Sequence, residues 1–248
     1  LFSIDPTADV EGIDAANKIA ILASLAFGQD LRYGDVYREG ITNLTPDDLR
    51  TAERNGYVIK HRAVAELTED GRVAIGVRPS LLWADDPLST VEGVLNGVLI
   101  DGDMVGSVFL AGPGAGPATT ASAVIGDLMA LSALHPDTPA PAPFLRVEPG
   151  RKLGVTSECA CNGYWLRIVT SGAHDAVAET AHLLTERGVS IHRIEERPVT
   201  PGDLGETKVI EVFTARTSQR KIQEAAAGLD ATEWSAITGS VLVLPRID

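Results

Sequence analysis

Cysteine is nearly absent from this chain of 248 residues, and the two that occur, Cys159 and Cys161, stand one residue apart. A pair that close cannot staple distant segments, and a bridge across so short a loop would be strained. The residues beside them supply no further ligands for a zinc site. They read as reduced thiols, which points to a reducing, cytoplasmic setting. Long hydrophobic runs are also missing. The stretch from Ile19 to Phe27 falls far short of the roughly 18 residues of a membrane span. No basic segment followed by an apolar one opens the chain, so no signal peptide is expected. Positive charge is scarce: 21 basic residues face 34 acidic ones, for a net charge of −13. So acidic a chain repels phosphate backbones, which argues against a nucleic-acid partner. The histidines (His61, His135, His174, His182 and His192) are scattered without metal-ligand spacing, so no metal is expected. No Gly-x-Ser-x-Gly elbow supports a serine hydrolase. What remains is ordinary for a soluble globular protein, with 44% apolar and 22% charged residues in one large or two medium domains.

A proline-rich stretch divides the chain. His135 to Gly150 holds five prolines, too many for a helix or a central strand. It reads as a semi-rigid linker between two domains, or as a long surface loop within one. After it the pattern is regular. Tyr164 to Thr170 reads as a strand. Asp175 to Arg187 reads as a helix with Val177, Ala181 and Leu184 on one face, stopped at Gly188. Val189 to Ile194 and Lys208 to Ala215 read as strands. Ser218 caps a helix from Gln219 to Leu229, and Ser240 to Leu244 makes a last strand. The order βαββαβ is the ferredoxin-like plan.

The part before the linker is α/β. Asp14 to Phe27 reads as a helix ending near Gly28. Thr45 or Asp47 opens a second helix, with Pro46 suited to its first turn. Val58 to Glu66, Arg72 to Arg78, Gly93 to Ile100 and Met104 to Ala111 read as strands. Asp101-Gly102 supplies a hairpin turn between the last two. Thr119 or Thr120 caps a helix through Leu134. Strands joined by hairpins imply a mixed β-sheet with helices on one face.

Two segments could carry chemistry. Asp5, Asp9, Glu11 and Asp14 crowd ahead of Lys18. Asp14 and Lys18 are four apart and share a helical face. Ile19-Ala20-Ile21-Leu22 suggests that this helix is largely buried, and a buried lysine beside a carboxylate can be tuned to exchange protons. The remaining carboxylates could hold a substrate ammonium. The plainer possibility is an acidic turn followed by a surface ion pair. Gly112 to Pro117 (GPGAGP) lies between a strand and a helix, where backbone amides can face an anion. It matches neither a dinucleotide fingerprint nor a phosphate loop. It serves equally as a tight connection that needs glycine dihedrals.

The segments DPTADVEGIDAANKIAILASLAFG (Asp5–Gly28), YREGI (Tyr37–Ile41), PLSTVEGVLNGVLIDGD (Pro87–Asp103) and GPGAGPATTASAVIGDL (Gly112–Leu128), in this order and spacing, resemble homoserine dehydrogenase. The region after the linker resembles the ACT regulatory domain of many bacterial members. The resemblance implies a catalytic, substrate-binding and dimerising region over residues 1–134, a proline-rich linker over 135–162 and an ACT-like domain over 163–248. It implies interconversion of aspartate 4-semialdehyde and homoserine with NADP or NAD, on the route to threonine and methionine. It assigns Lys18 as the proton-transfer lysine, Asp14 as its partner beside the substrate hydroxyl, and Asp9 to the substrate amino group. It places Gly112 and Gly114 near the cofactor. It also implies a homodimer and an amino-acid effector at the ACT-like domain. The family's Gly-x-Gly-x-x-Gly nucleotide-binding turn and its second lysine are not in these residues, and Ser3 stands where the family has a substrate-binding glutamate. This chain alone is therefore expected to be inactive. Gly172 replaces the aspartate of the family's effector loop and Asp175 its glycine, so threonine is expected to bind weakly or not at all. The rival reading is a non-catalytic sensing or dimerising protein with a remnant catalytic half.

Overall fold

The computed structural model describes residues 5–132, 147, 150, 154–157, 162–170, 175–198, 208–232 and 241–246. Cys159, Cys161, most of the proline-rich stretch and the effector-loop residues Ser171 to His174 lie outside them. In chain order the elements are α1 (Thr7–Val10), α2 (Ile13–Phe27), β1 (Tyr37–Arg38), α3 (Pro46–Arg54), β2 (Tyr57–Leu67), β3 (Val73–Trp83), β4 (Leu95–Gly102), β5 (Gly106–Pro113), α4 (Pro117–Ser132), β6 (Val155–Thr156), β7 (Gly163–Thr170), α5 (Ala176–Glu186), β8 (Ile191–Pro198), β9 (Lys208–Thr214), α6 (Gln219–Asp230) and β10 (Val241–Arg246). No helix among the described residues is long and apolar enough to cross a membrane.

The fold is a mixed α/β arrangement around an eight-stranded sheet. β3 is its axis. β2 pairs antiparallel along one edge of β3 over eleven residues, while β1, β6 and β10 lie parallel along the other. The last four long strands run in the order β10-β7-β9-β8, all antiparallel, which with α5 and α6 is the ferredoxin-like plan. Because Arg246 of β10 pairs with Leu81 of β3, the strands before and after the proline-rich stretch share one sheet. β4 and β5 do not join it; they form a separate hairpin.

β3 runs five residues further than the sequence pattern suggests, through Pro79. Val77 offers its carbonyl to the Glu39 N–H on the β1 edge. By the two-residue period the Pro79 nitrogen faces the same edge. There β1 ends its pairing at Val77 and β10 begins at Leu81, so no ladder bond is lost. The hairpin turn is also displaced. Gly102 pairs with Gly106, and Asp103 to Val105 form the loop, with Gly106 at φ +70° where only glycine is comfortable. α4 starts at Pro117 rather than after Thr119.

Three cores hold the sheet. Ala16, Ala20 and Ala23 of α2 pack on Val73, Ile75 and Val77. Alanines at this spacing let the helix approach closely. The bulkier Ile21, Leu22 and Leu25 remain outside, so the expectation of a largely buried helix is corrected: its covered face is Ala16, Ala20, Ala23 and Ser24, with Ile19 and Phe27 half-buried beside them. Ala52 of α3 joins Tyr57 and Leu81 with Trp165, Phe213, Leu242 and Leu244, which follow the proline-rich stretch in sequence. α5 and α6 cover the opposite face of the module's strands through Leu184, Ile222 and Leu229. Charges reinforce the seam. Arg167 Nη1 meets Asp48 Oδ2 at 2.6 Å, and Arg197 bridges Asp47 at 2.6 Å and Glu211.

Candidate active site

The acid-rich turn is built from α1, a glycine and α2. Gly12 takes φ +70°, and a Cβ there would stand 2.9 Å from both the His61 ring and Val77. It is therefore required twice, by its dihedral and by its neighbours. The segment Tyr37–Ile41 braces the turn from behind. The Ile41 N–H donates to the Val10 carbonyl at 2.9 Å, and Arg38 Nη1 donates to the Glu11 carbonyl at 3.3 Å. His61 Nε2 lies 2.9 Å from the Glu39 carbonyl. Asp5 Oδ1 accepts from the Thr7 N–H at 3.0 Å, and hydrogen bonds from Thr7 hold its carboxyl below the usual range.

On this frame Lys18 Nζ meets Asp14 Oδ2 at 2.7 Å. Their side chains are 54% and 51% exposed, so the ammonium stays hydrated and is not the buried lysine that the sequence suggested. The pair stands one turn apart on the open face of α2. Asp9 is exposed on α1, the short helix immediately before Gly12.

GPGAGP lies on a different element. Gly112, the last residue but one of β5, pairs with Asn96, with open space where a Cβ would stand. Gly114 donates its N–H to the Val94 carbonyl at 2.9 Å, and a Cβ there would fall 1.4 Å from Asn96 Nδ2. Only glycine fits. Gly116, at φ +129°, leads into α4. The structure thus joins Asp14 to Lys18 and places Asp9 just ahead of them, while Gly112 and Gly114 sit at the foot of the separate hairpin.

Among the described residues no cluster of His, Cys, Asp or Glu could hold a metal. His61 serves the backbone, and His182 lies 3.4 Å from Glu186 on the exposed side of α5.

The model of the homoserine dehydrogenase family matches residues 3–129, half of the chain and the part that holds both segments. The chain belongs to the homoserine dehydrogenase family. A homoserine dehydrogenase of Pseudomonas aeruginosa is 39% identical over 242 residues, which are 96% of this chain and 55% of that protein. One from Synechocystis is 48% identical over 128 residues, 50% of this chain and 30% of that protein. The crystal structure of a homoserine dehydrogenase from Thiobacillus denitrificans superposes with a TM-score of 0.86 at 32% identity, covering 99% of this chain and 55% of that one. The chain therefore spans about half the length of these full-coverage relatives.

Sequence reasoning missed a second set of polar groups. Glu39, Arg78 and Gln219 line one crevice between β1 and β10. Tyr37–Ile41 stood out only as part of a resemblance. Arg78 was read as the last residue of a strand; the structure carries that strand on to Trp83 and brings Arg78 neighbours from elements far away in sequence.

Proposed function

We propose that this chain supplies the substrate-handling and C-terminal parts of a homoserine dehydrogenase, which interconverts aspartate 4-semialdehyde and homoserine with NADP or NAD. The observation that carries this reading is the Asp14–Lys18 pair at 2.7 Å, inside the residues that the family model matches. Lys18 holds a proton at the substrate oxygen, giving it as the aldehyde is reduced and taking it back in reverse. Asp14 orients the ammonium and accepts from the substrate hydroxyl. Asp9 offers its carboxylate to the substrate ammonium. A nicotinamide, when bound, supplies or receives the hydride. Gly112 and Gly114 fit only its margin: Gly112 leaves its backbone approachable, and the chain holds no Gly-x-Gly-x-x-Gly turn for a pyrophosphate. The 248 residues alone are accordingly expected to turn over no homoserine and to bind NADPH too weakly for calorimetry at micromolar concentration. Joined to a nucleotide-binding domain of this family, they are expected to turn over. A joined protein that folds and binds NADPH without oxidising homoserine would overturn the assignment.

We also read residues 163–248 as an ACT-type module and the protein as a cytoplasmic homodimer. β2 supports the dimer: it pairs with β3 on one side and with no other described strand. A long edge of this kind needs cover, and a second copy provides it. Light scattering at tens of micromolar is expected to give the mass of two chains; a monomer with intact fold would count against pairing.

A further inference from the structure

We propose that the open end of an aromatic row at the seam binds a small planar aromatic anion, a ring that carries one phosphate or carboxylate. The row starts in the core around Ala52 and runs outward. Between ring centroids, Trp165 lies 6.4 Å from Phe213, Phe213 6.2 Å from Tyr57, and Tyr57 4.3 Å from Trp83. Trp165, Phe213 and Tyr57 are buried, but Trp83, the last residue of β3, is 43% exposed. It ends the row beside a cavity of about 300 Å³. A tryptophan left this open at a cavity is a stacking surface for a further ring.

Two arginines border the same cavity, and each is held in place. The Arg193 guanidinium lies 4.3 Å from the Phe213 ring centroid, and its Nη2 donates to Asn55 Oδ1. Arg246 lies over Gly163, where a Cβ would fall 2.8 Å from Arg246 Nη2. Gly163 has no left-handed dihedral to explain it, so its missing side chain serves to admit that guanidinium. His192 adds a third basic side chain to the lining. No carboxylate lines the cavity. Glu195 Oε1 reaches Arg193 Nε from outside it at 3.5 Å, and Asp86, close to Trp83 in sequence, turns its Oδ1 to the Leu88 N–H at 2.7 Å. A guanidinium has five N–H donors, so both arginines can serve an anion beside the partners they already have. The ring of the ligand stacks on Trp83, and a guanidinium also accepts a planar neighbour. Its anionic group faces Arg193 and Arg246. A planar cation would meet the same two arginines, and an aliphatic anion would leave Trp83 unused. A polyanion would be repelled by a chain of net charge −13, which confines the ligand to a small molecule.

The proposal does not rest on the dehydrogenase reading. The test uses the whole chain, with AMP as the phosphate and 4-hydroxybenzoate as the carboxylate, each added up to about 10 mM, which reveals millimolar affinity. At least one is expected to raise Tm and to quench tryptophan fluorescence saturably, and the one that does so names the anion. Adenosine, a ring without charge, and cyclohexanecarboxylate, a charge without an aromatic ring, are expected to bind at least about tenfold more weakly. Trp83→Leu should fold, because much of the side chain is already open to water, and should abolish the quenching. Arg193→Gln should weaken binding by calorimetry at least about tenfold, because charge-assisted bonds are lost. Gly163→Ala should also fold, since only the tip of Arg246 has to move, and should weaken binding severalfold by displacing that guanidinium. Asp175→Ala should leave binding unchanged, since Asp175 Oδ1 caps α5 by accepting from the Ala178 N–H at 3.4 Å. The absence of binding by both anions would overturn the proposal, as would adenosine binding that matches AMP. So would binding that survives Arg193→Gln, or binding lost with Asp175→Ala, which would place the ligand at the effector loop.

Discussion

In an enzyme that joins this chain to a nucleotide-binding domain of the family, Lys18→Ala is expected to lower homoserine turnover by about 10²–10⁴-fold, the usual scale of general acid–base assistance. The same variant should hardly change stability. Lys18 is half exposed, and its partner Asp14 is equally open to water. Exposed pairs of this kind contribute about 0.3–0.5 kcal/mol, and the freed Asp14 carboxylate can be hydrated in place. The two readouts therefore separate. A steady-state assay and a thermal melt on the same preparation check them, and a rate loss below about threefold with an unchanged melt would remove Lys18 from the chemistry.

Asp48→Ala should do the reverse, costing stability by about 3–5 kcal/mol. Asp48 is fully buried, and its Oδ2 accepts from the Thr45 N–H and hydroxyl, each at 2.7 Å, and from Arg167 Nη1 at 2.6 Å. Arg167 itself is only 15% exposed, so deleting the carboxylate strands a cation between α3 and β7 and removes one half of the capping box at the start of α3. For a chain of this size the expected loss is roughly 6–20 °C in Tm. Arg167→Met combined with Asp48→Ala should recover part of it, because the stranded charge goes too. Calorimetry on the single and double variants measures this, and a single-variant loss below about 1 kcal/mol would show that water reaches the seam.

How legible these features were in the sequence depends on how far apart their parts lie. The Thr45-Pro46-Asp47-Asp48 start of α3 is local chemistry, and the predicted helix appears with its capping box. The hairpin was equally plain, but Asp-Gly and Gly106 compete for the turn, and the glycine with positive φ takes it. β3 is a different case. Pro79 reads as a strand end, and only the arrival of β1 and β10 on the same edge makes it harmless. The burial around Lys18 was misjudged because alanines make the fully covered face of α2, while Ile21, Leu22 and Leu25 stay exposed and Ile19 is only half-buried. Asp14, Lys18 and Asp9 were found as a cluster four to nine residues apart. The partnership of Asp48 with Arg167 spans 119 residues, and no local pattern reports it.

The place of β10 also bears on how the protein is made. β10, which fastens the ferredoxin-like module to β3, follows every other described strand in chain order, so that junction cannot form until β10 has left the ribosome. Until then the upper edge of β3 and the apolar faces of Leu81 and Trp165 wait uncovered. A nascent chain in that state is a natural client for a holding chaperone, and a chain cut short before β10 leaves this sheet open.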